Sequence, residues 1–276
     1  MGKPKVMVVG SGGREHAIVD LFFRSGADVF FNGRNAGASQ IAELLPDLDL
    51  LTAAEKIQPD LVIFGSEDNL FSGARDELLD KGFNCVGPSK YGARLEGSKM
   101  FGRVVSLQAG IPKPAEPTSI QDYPYYLKYE RLAAGKGAHL VENKEHHDVA
   151  LEFCSSNDRT GEFVLEKVVK GKEFSSFLYC HEGCVFLLGH AADHKRLNQD
   201  PQSLMTGGMA SISPHPKLDS DMLDGIAIDW GSATLRALAD RDIQYEGFLY
   251  LGGIASGEAI YLLEYNCRLG DPEAGA

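Results

Sequence analysis

Four short segments of this 276-residue sequence carry residue types suited to phosphate chemistry. Lys128 sits in an apolar run just before Leu132-Ala133-Ala134-Gly135-Lys136-Gly137, a loop whose small residues let backbone N–H groups approach phosphate oxygens. Leu95-Glu96-Gly97-Ser98-Lys99 adds another lysine. Glu166-Lys167-Val168-Val169 reads as a strand end, and Lys170-Gly171-Lys172-Glu173 after it as a hinge. Such a hinge could offer backbone groups to an adenine and a carboxylate to ribose hydroxyls. Leu263-Glu264-Tyr265-Asn266 alternates, so as a strand it puts Glu264 and Asn266 on one face. A carboxylate beside an amide oxygen suits a hard divalent cation such as Mg²⁺ or Mn²⁺. Singly, each segment has a plainer reading: lysines near glycines are commonly solvated, and a Glu–Asn pair is commonly an exposed strand face. Their order along one chain favours a nucleotide site. It is not a Walker-type site, since Glu130 stands five residues before Gly135-Lys136 and Glu173 follows Gly171-Lys172.

A second candidate is Gly10-Ser11-Gly12-Gly13, between the apolar run Val6–Val9 and the helical spacing of Glu15–Arg24. Three readings are open. A dinucleotide fingerprint is disfavoured, because its third glycine falls at Glu15 and the second strand ends in Asn32-Gly33-Arg34, where a ribose-binding acid belongs. A tight turn without a ligand is the second. In the third, the loop N–H groups of Gly10, Gly12 and Gly13, with Arg14, hold a substrate phosphate at the helix N-terminus.

The elements that must carry these segments differ between the two parts of the chain. Up to Gly87-Pro88, short apolar strands (Val6–Val9, Asp28–Phe31, Leu61–Phe64, Asn84–Val86) alternate with helical patterns, which predicts a parallel sheet covered by helices. Ala93–Leu107 follows as one helix, and Ile111-Pro112-Lys113-Pro114 as an extended linker. Beyond it, Phe174–Tyr179 and Val185–His190 form a hairpin through Glu182-Gly183, and Tyr250–Ala255 pairs with Ala259–Tyr265 through Ser256-Gly257. Hairpins after parallel units argue for two architectures, α/β and then α+β. A net charge of −12 disfavours nucleic-acid or anionic-membrane partners. Five scattered cysteines without a CxxC pair fit reduced thiols in a cytosol. Lys5–Val9 is too short for a signal peptide, and no apolar run reaches transmembrane length, so a cytoplasmic protein is expected.

Together the motifs resemble the signature segments of the phosphoribosylamine–glycine ligase family of the ATP-grasp superfamily. The resemblance rests on Val9–Ala17, Arg34-Asn35-Ala36-Gly37, Leu95–Lys99, Leu132–Gly137, Asp193-His194-Lys195-Arg196, Thr206-Gly207-Gly208-Met209 and Glu264–Glu273, in the family's order from residue 5 to residue 273. It implies a Rossmann-like N-terminal domain (1–98) and an ATP-grasp domain (99–276) with a lid subdomain over about 118–172. It implies small-molecule substrates, with a carboxylate activated by ATP as an acyl phosphate and an amine attacking it. By residue match, Lys99, Lys128 and Lys136 would meet phosphates, Glu166 and the Lys167–Val169 backbone adenine, Glu173 ribose, and Glu264 and Asn266 the metal. Lys136, Glu264 and Arg268 are the expected catalytic groups. Gly10, Gly12, Gly13, Arg14, Asp193, Lys195, Arg196, Thr206, Gly207, Gly208, Arg268 and Asp271 would line the donor and acceptor sites. No side-chain nucleophile is required.

The chain departs from the family pattern at Glu130-Arg131, at Ser203-Leu204-Met205 and within Gly65-Ser66-Glu67-Asp68-Asn69-Leu70. It also stops at Ala276, where the family continues into a C-terminal domain. The expectations left open are the family reaction itself, a paralogue acting on another amine or carboxylate in specialised metabolism, a separate partner supplying that domain, or a non-catalytic nucleotide-binding subunit.

Overall fold

The computed structural model describes residues 2–131, 137–157, 161–196 and 205–276. Lys136 with most of its glycine-rich loop, and Ser203-Leu204, lie outside them, and of Arg196 and Gly207 only the backbone is described.

The chain begins with β1 (Lys5–Val9), α1 (Gly13–Arg24), β2 (Asp28–Asn32), β3 (Glu43–Leu44), α2 (Leu50–Ile57), β4 (Leu61–Phe64), α3 (Glu67–Ser72), α4 (Ala74–Asp80) and β5 (Cys85–Val86). The strands pair in parallel in the order β3-β2-β1-β4-β5. Central β1 is covered on both faces, which is why it reads as an unbroken apolar run. Met7 and Val9 enter one apolar cluster and Val6 and Val8 the other, the two-residue period of a strand.

The single helix expected over Ala93–Leu107 is two, α5 (Lys90–Gly97) and α6 (Lys99–Gln108). Ser98 breaks it: its backbone is extended, at φ −136° and ψ 114°, and its hydroxyl oxygen accepts from the Phe101 N–H at 3.0 Å. Glu130 completes this cap by accepting from the Met100 N–H at 2.8 Å and from the Ser98 hydroxyl.

A three-stranded antiparallel sheet follows, β6 (Tyr125–Tyr129), β7 (Ala138–Val141) and β8 (Phe163–Lys167), with α7 (Lys144–Asn157) against it. It has an apolar cluster of its own, built on Tyr125, Leu127, Tyr129, Val141, Ala150 and Cys154. The remaining elements are β9 (Lys172–His181), β10 (Cys184–Arg196), β11 (Met205–Ile212), α8 (Ser220–Ala239), β12 (Gly247–Ser256) and β13 (Ala259–Asn266). They form an antiparallel sheet ordered β11-β10-β9-β12-β13. The Glu182-Gly183 turn takes φ of 48° and 75°, as a tight hairpin between twisted strands requires. β10 runs six residues past the expected end at His190, which brings Asp193 and Lys195 onto the sheet, and β11 was not anticipated.

One apolar cluster joins Phe64 and Leu70 of the first unit to Leu95 and Val105 on α5 and α6, and on to Leu238, Leu251 and Leu262. The two helices thus wedge the parallel sheet against the antiparallel one. Among the described residues, no helix is long and apolar enough to cross a membrane.

Candidate active site

The period of two places Glu264 and Asn266 on one face of β13, and Asp193 and Lys195 on one face of β10. Gly252 and Ser175 lie in register with Glu264 across β12 and β9. A narrow cleft over this sheet is lined by Glu173, Ser175, Asp193, Lys195, Tyr250 and Glu264, among others. The Lys195 ammonium stands between two carboxylates, 3.7 Å from Glu264 and 3.8 Å from Asp193. Burial works to raise the Glu264 pKa, but Lys195, then Lys99, Lys128 and Arg268, outweigh it and hold the group down to about 2. Glu264 is therefore an anion at any pH of interest and a ready metal ligand. Among the described residues, no group of three or more His, Cys, Asp or Glu side chains gathers to hold an ion alone. Glu264 and Asn266 fit an ion such as Mg²⁺, which takes one or two carboxylates and draws its other ligands from substrate phosphates.

From the three-stranded sheet, Lys128 of β6 reaches across to the edge of the cleft. Its ammonium donates to Glu166 at 2.5 Å and to the Leu263 carbonyl, one residue before Glu264, at 3.2 Å. Lys113 donates to the same carbonyl at 3.1 Å, and its ammonium lies 3.5 Å from Glu166, as does the Arg103 guanidinium. Glu166 is thus a buried carboxylate among three cations. Burial opposes its ionisation, but Lys128 and Lys113 lead the charges that keep its pKa below the usual value. Lys99 opens α6 at the edge of this positive region. The Lys167 amide, expected to face adenine, donates to the Ala115 carbonyl at 2.7 Å, and its ammonium pairs with Asp122 at 2.8 Å. Val169 lies in the loop beyond β8, and Glu173 is the second residue of β9, beside the cleft. A larger opening of about 400 Å³, by Tyr91, Arg94 and Glu130, shares no residue with the cleft.

The loop after β1 is filled by the protein's own carboxylates. Glu15 folds back beneath it and accepts from the Gly12 N–H at 2.7 Å. A Cβ on Gly10 would meet the Glu15 carboxylate at 2.6 Å, and φ there is +132°, so glycine is required twice over. Asp271 Oδ2 accepts from the N–H groups of Gly13 and Arg14, at 2.8 and 3.2 Å, where the third sequence reading put a phosphate. Arg14 donates to Glu67 and to the Gly65 carbonyl, both at 3.0 Å. Arg268 joins the same Glu67 at 3.2 Å and Glu96 at 2.8 Å, so its guanidinium is committed to two carboxylates. Thr206 donates to the Lys195 carbonyl at 2.8 Å, and Gly208 lies against Asp193 and Asp271. The structure therefore gathers Asp193, Lys195, Thr206, Gly208 and Asp271 near one end of the cleft.

Residues 4–96 match the N domain of Phosphoribosylglycinamide synthetase, and residues 104–274 match its ATP-grasp (A) domain. The chain belongs to this family. It is 34% identical to a Phosphoribosylamine--glycine ligase of Leifsonia xyli, over 98% of this chain and 68% of that one. A namesake from Synechocystis is 35% identical over 99% and 70%. The Phosphoribosylamine--glycine ligase crystal structure from Thermotoga maritima superposes with a TM-score of 0.81 at 30% identity, covering 98% of this chain and 70% of that one. Biotin carboxylase from Campylobacter jejuni shares the fold, with a TM-score of 0.73 at 16% identity over 99% and 67%.

Within the family framework, two functional-looking cations escaped the sequence reading. Lys113 falls in the expected linker, yet its side chain is buried between Glu166 and the Leu263 carbonyl, and burial lowers its pKa to about 8 against the pull of Glu166. Its one signal was a lysine held between Pro112 and Pro114 in an otherwise apolar turn. Arg103 had none, lying in a helix whose register the missing break at Ser98 had blurred. Ser176, His190 and Asp224 form a hydrogen-bonded series at 2.8 Å per link that imitates a nucleophile relay. Ser176 is fully buried, so no substrate can reach its hydroxyl and the series is structural.

Proposed function

We propose that this ligase joins glycine to 5-phosphoribosylamine, with ATP converted to ADP and phosphate, and that it works in the cytosol on small molecules. The observation that carries the site assignment is the Lys195 ammonium poised between Asp193 and Glu264, across from the lid lysine Lys128. The γ-phosphoryl group passes to the glycine carboxylate, and the amine then displaces phosphate from the acyl phosphate. Lys128 and Lys99 would face the phosphates, with Glu166 setting the position of Lys128. Glu264 and Asn266 would hold Mg²⁺ or Mn²⁺, which supplies charge neutralisation during phosphoryl transfer. Glu173 would meet the ribose. The β6–β8 sheet with its separate core would act as the lid that keeps water from the acyl phosphate. Lys136, expected to serve from the loop between β6 and β7, lies outside the described residues.

Two of the departures from the family pattern do not call for a different substrate. Glu130 caps α6, and Glu67 bridges Arg14 and Arg268, so both have structural work. ADP release from the purified chain with glycine and freshly generated 5-phosphoribosylamine tests the proposal. Release that needs both substrates supports it. Release only with other carboxylates or amines would transfer the chain to a paralogous reaction.

A further inference from the structure

Lys128 has two claims on its charge, the nucleotide phosphates and Glu166. Its ammonium donates to Glu166 Oε2 at 2.5 Å and to the Leu263 carbonyl at 3.2 Å. A cation in contact with a carboxylate presents little net charge to a phosphate, and the carboxylate repels the phosphate oxygens. Turning Lys128 fully to a phosphate takes the contact ion away from Glu166, whose side chain is only 4% exposed. A buried carboxylate left unpaired in this way is strongly destabilising.

A second lysine stands at the other carboxylate oxygen. Glu166 Oε1 has the Lys113 ammonium and the Arg103 guanidinium each at 3.5 Å, longer than a charge-assisted hydrogen bond. Lys113 also donates to the Leu263 carbonyl at 3.1 Å, so the two lysines share both of their acceptor groups. Arg103 has a carboxylate of its own, Glu116 at 3.0 Å, whereas Lys113 has none besides Glu166 among the described residues. Around Glu166 of β8, α6 thus supplies Arg103, β6 Lys128, the segment before β6 Lys113 and Glu116, and β13 the Leu263 carbonyl. Three cations face two carboxylates, and Glu116 is exposed. Burial, then the repulsion of Lys128 and Arg103, holds the Lys113 ammonium down to about 8 against the pull of Glu166. Moving Lys128 away weakens that repulsion and leaves Glu166 to Lys113.

We infer that Lys113 is a positioning residue for the nucleotide: it takes over Glu166 as Lys128 turns to a phosphate, so that Lys128 delivers its full charge without stranding a buried carboxylate. This rests on the reading above of Lys128 as a phosphate ligand. Lys113 itself touches no substrate, and what it contributes is its charge rather than its bulk.

Calorimetry on the full chain at pH 7, with Mg²⁺ and a non-hydrolysable ATP analogue, tests the handover. Lys128→Met should weaken the analogue. Lys113→Met should weaken it by on the order of 10-fold, and Lys113→Arg should restore most of that loss. In a Glu166→Gln background no carboxylate can be stranded, so adding Lys113→Met should leave the affinity where Glu166→Gln alone puts it. Lost packing would instead cost the same in both backgrounds. Wild type alone gives a second readout. Pairing with Glu166 raises the Lys113 pKa in the complex, so binding above about pH 8 should take up a proton, and affinity should fall as pH rises past that value. Titrations in two buffers of different ionisation enthalpy measure this uptake, which Lys113→Met should remove. No loss in Lys113→Met, an equal loss in both backgrounds, or wild-type binding without proton uptake would overturn the inference and leave Lys128 its phosphate. Unchanged affinity in Lys128→Met would discard the phosphate role of Lys128, and the handover with it.

Discussion

Replacing Glu166 by glutamine should destabilise the protein by about 2–4 kcal/mol, although the new side chain has the same size. In the native structure the Glu166 side chain is 4% exposed and has Lys128 at 2.5 Å, with Lys113 and Arg103 each at 3.5 Å. Removing one member of a buried pair costs about 3–5 kcal/mol, because the charge left behind is uncompensated. Three features moderate that figure here. Arg103 keeps Glu116 at 3.0 Å, and both lysines keep the Leu263 carbonyl. The glutamine oxygen can also still accept from Lys128. Urea unfolding followed by circular dichroism, and by the single Trp230 on α8, would measure the difference. The pH dependence gives a second check. Because the folded pKa of Glu166 lies below its ordinary 4.5, its contribution is complete above 4.5 and is lost as pH falls through the folded value. The gap between wild type and variant should therefore be constant from pH 6 to 7, and should close in acid. A variant within about 0.5 kcal/mol of wild type at pH 7, or a gap that persists in acid, would refute the clamp.

Glu264→Gln should lower turnover by on the order of 10²–10³ while nucleotide affinity shifts far less, because a metal-facing charge matters most during phosphoryl transfer. Steady-state kinetics beside analogue binding decides it, and near-normal turnover would remove Glu264 from the metal site. Glu130→Ala should cost about 0.5–2 kcal/mol by uncapping α6, read as a lowered midpoint in thermal melts, with no loss meaning that Ser98 caps the helix unaided. In carbon-13 lysine NMR, the Lys113 resonance should titrate near 8. Its folded pKa lies below the ordinary 10.5, so holding it charged costs stability at neutral pH, and that cost fades between about 8 and 10.5. A Lys113 midpoint of 10 or above would show that its ammonium is hydrated.

How much was legible in the sequence depended on whether a residue's partners were local. Four of the five parallel strands were read correctly, because burial leaves an apolar run whatever they pack against, whereas the two-residue β3 at the sheet edge left no such run. The split at Ser98 was missed because the apolar spacing continues through it, and the cap that makes the split depends on Glu130, far along the chain. Glu264 and Asn266 could be paired from alternation alone. That Lys195 stands opposite Glu264 was illegible even with the family resemblance, because β10 and β13 are separated by β9 and β12 in the sheet. The occupation of the Gly10–Arg14 loop was illegible for a similar reason. Its partner, Asp271, lies 258 residues from Gly13.

The same long-range contacts explain why the parallel unit belongs to the site although it adds no residue to the cleft lining. Glu96, at the end of α5, accepts from the Cys267 N–H at 2.8 Å and pairs with Arg268 at the same distance. Cys267 directly follows Asn266, so this carboxylate anchors the end of β13 beside the Glu264–Asn266 pair proposed to hold the metal. Glu67 ties Arg268 to Arg14, and Asp271 ties the next turn to the start of α1. Buried pairs of this kind give little net stability over an apolar replacement, yet removing one partner is expensive, so they select one arrangement over others. A Glu96→Gln variant that kept full turnover would show that β13 needs no such anchor. Loss of turnover with ATP binding retained would place the anchor in the service of Asn266.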